Sequence, residues 1–126
     1  MDSKLKDKKI FLLDTKLKFS ILFAKGIREK GCLFKFADRN SEIHILKQAE
    51  EFDPDLIIID FSDLTLQGMK FARILKSDQR FKDVLIIGLN PPKILVGPEE
   101  KTIYEFINDP FIFPRIFTSI KKALKI

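Results

Sequence analysis

Cysteine and histidine are nearly missing from this chain: Cys32 and His44 are the only ones among 126 residues. A single cysteine excludes an internal disulfide. The two residues together are too few for a cysteine/histidine zinc site, or for a Ser-His or Cys-His catalytic pair of ordinary design. Tryptophan is absent, and Tyr104 is the one tyrosine. No apolar run approaches the roughly 20 residues needed to cross a bilayer. Met1 to Lys9 also lacks the apolar segment of a signal peptide, so the chain is expected to be cytoplasmic, with no membrane partner. Glycine-rich loops of the nucleotide- and dinucleotide-binding kinds are absent too. Nucleotides and organic cofactors therefore have no sequence support, and no enzymatic activity is expected.

Charge is plentiful but spread out. The formal net charge is +5 and the sequence pI about 9.3. Lys25, Lys30, Lys47, Lys70, Lys76 and Lys82 are dispersed rather than gathered with aromatics into a stacking motif. That pattern reads as a solvated surface and not as a nucleic-acid face. The densest clusters are a basic tail over residues 1–8 and Lys121, Lys122 and Lys125 near the end of the chain, where cations suit a helix C-terminus.

Periodicity divides residues 9–126 into alternating elements of one domain. Ile10 to Asp14 is an apolar strand. Leu17 to Lys30 carries Phe19, Leu22, Phe23 and Ile27 at helical spacing and stops at Gly31. Leu33 to Ala37 is a short strand. A helix capped by Asn40 or Ser41 runs to about Phe52, with Ile43, Leu46, Ala49 and Phe52 on its inner face. Pro54 ends it and launches Asp55-Leu56-Ile57-Ile58-Ile59-Asp60, too short and too β-branched for a helix. Gln67 to Lys76 is helical, and Val84 to Leu89 is another unbroken apolar strand. Pro91, Pro92, Gly97 and Pro98 leave room only for irregular backbone and a fourth helix shortened to about Pro98–Thr102. Ile103 to Ile107 is a fifth strand, and a last helix starts at Pro114. Continuous apolar strands between amphipathic helices predict an α/β fold: a doubly wound, five-stranded parallel sheet with helices on both faces.

In such sheets chemistry collects outside the carboxyl ends of the strands, where Asp14 and Asp60 both fall. Two carboxylates at one sheet edge suggest a cation site or a phosphoryl-transfer site. Cys32 reads as a packing residue and His44 as a surface histidine.

These landmarks resemble the receiver domain of bacterial response regulators over nearly the whole chain. Lys9 to Asp14 resembles the family's first strand, and Pro54 to Asp60 the segment ending in the phosphoacceptor aspartate. Gly68 with Met69 to Leu75 resembles the glycine and helix that follow, and Asp109-Pro110-Phe111 stands where the family has Lys-Pro-Phe. The resemblance implies the flavodoxin-like strand order 2-1-3-4-5, with Asp60 as phosphoacceptor. It also implies Mg²⁺, weakly held by Asp14 and Asp60, and a cis peptide before the proline of the Lys-Pro-Phe position.

Several positions depart from that pattern. The acidic pair is reduced to Asp14-Thr15, and the hydroxyl residue ending the fourth strand aligns with Asn90. The lysine aligns with Asp109, and the switch aromatic with Phe106, which lacks a hydroxyl. Phosphoryl transfer depends on charge stabilisation, so an aspartate in place of a lysine opposes it. The expected function is an atypical single-domain receiver that signals by protein contact, with phosphorylation at Asp60 lost or weakened. Its partners would be other signalling proteins such as a histidine kinase or an effector, and its state a monomer or weak homodimer. Ile94, Leu95, Val96, Ile112 and Phe113 are the candidate contact face, or else close the core over the shortened helix. Two alternatives stand: a conventional phosphorelay receiver, and a flavodoxin-like module that binds a cation or small ligand.

Overall fold

The computed structural model describes residues 4–13, 17–37, 42–61, 65–91, 102–108 and 113–126. In chain order the elements are β1 (Lys9–Leu13), α1 (Leu17–Glu29), β2 (Leu33–Phe36), α2 (Glu42–Phe52), β3 (Leu56–Asp60), α3 (Thr65–Ser77), β4 (Leu85–Leu89), β5 (Glu105–Ile107) and α4 (Phe113–Leu124). The strands form one parallel sheet in the order β2-β1-β3-β4-β5, as expected. The region expected to hold a shortened helix, with Ile94, Leu95 and Val96, lies outside the described residues apart from Thr102.

β3 runs down the middle of the sheet, and all five of its residues are buried. Its β-branched side chains fit a pleated surface covered on both sides, and each buried isoleucine contributes about 1.5–3 kcal/mol. Alternation along the strands sorts the core into two layers. Phe11, Leu13, Ile57, Ile59 and Ile86 pack with Ile45 and Ala49 of α2 and with Met69, Ala72 and Leu75 of α3. Ile10, Leu12, Ile58, Ile87 and Ile107 pack with Phe23 and Ile27 of α1 and with Ile116 and Ile120 of α4.

Helix ends follow from local chemistry. α1 closes in a Schellman motif, in which Cys32 N donates to Ile27 O (3.2 Å) and Gly31 N to Arg28 O (2.9 Å). Gly31 sits at φ 91°, a conformation open to glycine at no steric cost. α2 ends at Phe52, and Asp53, the next residue, is left-handed at φ 54° just before Pro54.

Two inner faces need correction. Ile43, expected to point inward, is 81 % exposed, and Ile45 takes the buried position beside Ala49. Leu22 is likewise exposed, because Phe23, Ala24 and Ile27 form the inward stripe of α1. In both helices two apolar residues one or two positions apart compete for the inner face, and the phase set by the next turn decides between them. The basic tail is also not all tail. Leu5 is completely buried, accepts from Cys32 Sγ through its carbonyl (3.4 Å) and packs among Ile27, Ile120 and Ala123.

Candidate functional site

Asp60 ends β3 and is 1 % exposed, one of two buried polar or charged residues among those described. It lies opposite Leu89 in the β3–β4 register, and Phe61 N continues the ladder to Leu89 O (2.9 Å). The residue just after β4 is Asn90, whose Nδ2 donates to Asp60 Oδ1 at 3.0 Å. Asn90 N donates to Ile107 O (2.9 Å), which ties this corner to β5. Asn90 is left-handed at φ 54°. Asparagine tolerates that region well, while a β-branched residue is strained there. The backbone at this strand end thus suits an amide in place of a β-branched hydroxyl residue.

The residue after Asp60 belongs to an aromatic pair. Phe61 is fully buried and its ring meets that of Phe106, with centroids 5.7 Å apart and planes tilted by 57°. Two glycines make the room. A Cβ on Gly68 would come within 2.8 Å of the Phe61 ring, and one on Gly88 within 2.6 Å of the Phe106 ring and 3.0 Å of Phe61. Phe106 therefore lies flat over β4, packed against the core layer of α2 and α3. A tilted pair of this kind adds about 0.5–1.5 kcal/mol beyond its buried area.

Of the residues singled out in the sequence, the structure brings together Asp60, Asn90 and Phe106 at one end of the sheet. Asp14, Thr15, Asp109 with its Pro110 peptide bond, and Ile112 lie outside the described residues. Phe113 is half-buried and packs with the α1 and α4 layer, close to Gly26. His44 is exposed on α2, and Cys32 is buried, as expected. Sequence reasoning missed Phe61 and Gly88. The signal was present, since a glycine inside an unbroken apolar strand marks a close approach by another group.

The arrangement can present one carboxylate, with one of its oxygens accepting from an amide. Among the described residues, no three His, Cys, Asp or Glu side chains gather to hold a metal ion. A divalent cation prefers six or more oxygen ligands, so Asp60 alone fits it poorly and needs a second acid such as Asp14.

The same architecture recurs in solved structures. The putative response regulator from Chloroflexus aurantiacus is 16% identical, with a TM-score of 0.79 covering 96% of this chain and 100% of that one. The fold is that of a response-regulator receiver. TrrA from Thermotoga maritima, a response regulator solved with Mg²⁺ and BeF, is 21% identical, with a TM-score of 0.77 covering 92% of this chain and 98% of its own. The chemotaxis response regulator CheY4 of Vibrio cholerae shares 16% identity and the same receiver fold, with a TM-score of 0.74 over 94% and 99% of the two chains. No protein-family model and no curated protein matches the chain. In the receiver fold Asp60 occupies the end of the central strand, and Phe106 the middle of the edge strand β5.

Proposed function

We propose that this protein is an atypical receiver that signals through protein contact, with phosphoryl acceptance at Asp60 weakened. The observation that carries the reading is the hydrogen bond from Asn90 Nδ2 to Asp60 Oδ1 inside a nearly closed site. An acyl phosphate on Asp60 needs both carboxylate oxygens rearranged around a cation, with positive charge facing the transferred group. Here an amide holds one oxygen, and the residues at the neighbouring positions, Thr15 and Asp109, have lost one acid and reversed one charge. Two unit charges about 4 Å apart interact by roughly 4 kcal/mol at a near-surface dielectric, so a carboxylate where the receiver pattern has an ammonium would oppose the phosphorylated state strongly if it faced the phosphoryl group. Mg²⁺ held by Asp60 and Asp14 is weak on the same grounds.

Partners are other signalling proteins. TrrA was solved bound to the histidine kinase ThkA, and a kinase of that kind is one partner this chain would meet. Contact through Ile94, Leu95, Val96, Ile112 and Phe113 belongs to the same proposal.

Titration with Mg²⁺ and beryllofluoride, followed by amide NMR, tests the reading. The Gly88, Asn90 and Phe106 resonances are expected to stay in place. Saturable shifts at all three would establish a working phosphoacceptor and favour the conventional phosphorelay reading.

A further inference from the structure

The two densest basic clusters of the sequence, far apart along the chain, are brought together by the fold. Helices that return between parallel strands end at the amino edge of the sheet, so α1 and α4 finish where residues 4–8 enter β1. Asp7 N donates to Gly31 O (2.9 Å), and Leu5 sits in one apolar cluster with Ile27, Ile120 and Ala123, which pins the three segments into a single corner. That corner carries Lys4, Lys6 and Lys8 from residues 4–8, Arg28 of α1 with Lys30 just after it, and Lys121 and Lys122 of α4 with Lys125 just after it. Its acids are Asp7, Glu29 and Glu105, which follows Tyr104 at the start of β5. Eight cations against three acids leave a surplus of five, as large as the net charge of the whole chain.

We infer that this corner docks an acidic surface of a partner protein. The inference deepens the protein-contact reading but is independent of Asp60, which lies at the far end of strands about 16 Å long. Nucleic acid fits poorly because the nearby rings are occupied. Lys30 Nζ lies 5.2 Å from the Phe117 centroid, Arg28 Cζ 5.8 Å from that of Phe34, and Lys122 Nζ 5.9 Å from that of Tyr104. Base stacking would have to displace them. A flat anionic membrane fits poorly as well. The same edge of the sheet carries exposed acids on its other face, among them Glu51, Asp53, Asp55 and Asp83. Arg80 already engages Glu50 and Asp78 there. A plane laid across the edge meets both signs, whereas a protein with a localised acidic patch meets only the basic corner.

The test is retention of the whole protein on immobilised poly-glutamate at low salt, with duplex DNA and phosphatidylserine vesicles as competing arms. The combined variant Lys6→Glu, Lys122→Glu, Lys125→Glu is expected to lose retention roughly a hundredfold. The control Lys47→Glu, Lys70→Glu, Arg73→Glu carries the same charge change on α2 and α3 and is expected to lose less than a tenth of that factor. Melting curves confirm folding, and alanine replacements at the same three lysines give the smaller graded loss if the reversal unfolds the chain. Equal losses in both variants would overturn the localisation. Tighter binding to DNA or to the vesicles than to poly-glutamate would overturn the choice of partner.

Discussion

Gly88→Ala is expected to destabilise the domain by about 1–3 kcal/mol, the usual cost of forcing atoms into a filled core. With a shift of roughly 3–5 °C per kcal/mol for a chain of this size, the melting temperature should fall visibly. The cause is specific. The new Cβ lands 2.6 Å from two carbons of the Phe106 ring, and that ring is backed by Phe61. In a Phe106→Ala background the same glycine-to-alanine step should cost much less, because the ring carbons that the Cβ strikes are gone. A double-mutant cycle reads this as a coupling of about 0.5–3 kcal/mol, and strict additivity would show that the ring does not rest on Gly88.

The second large effect is a gain. Thr15→Asp combined with Asp109→Lys restores the acid and the cation that the receiver pattern supplies, and should speed phosphorylation of Asp60 by acetyl phosphate and Mg²⁺. The scale follows from charge: removing about 4 kcal/mol of repulsion corresponds to roughly a thousandfold in rate. Asn90 is best left in place, because its left-handed backbone would strain a threonine. If the double variant is no faster than the natural sequence, the two charge changes do not limit Asp60, and the account of its weakness is wrong.

Most of the fold was legible because the strands are unbroken apolar runs bounded by proline, glycine and acids. Pro54 and Gly31 mark ends that the structure keeps within a residue. Helical phase was harder. Ile43 and Ile45 are equally apolar, and only packing against Phe11 and Ile57 shows which one turns inward. Leu5 was hidden among lysines, as its burial depends on a cleft between α1 and α4 that does not exist locally. The position of Asp60 could be read from the strand and the residues around it. The amide on its carboxylate could not, because Asn90 is 30 residues away and its side chain is aimed by a backbone turn at the end of β4.

Intact-mass measurement after incubation with acetyl phosphate and Mg²⁺, run beside Asp60→Ala, tests the central claim most directly. The account predicts no gain of a phosphoryl group under conditions that charge the Thr15→Asp, Asp109→Lys variant. A stoichiometric gain in the natural sequence that disappears in Asp60→Ala would contradict it.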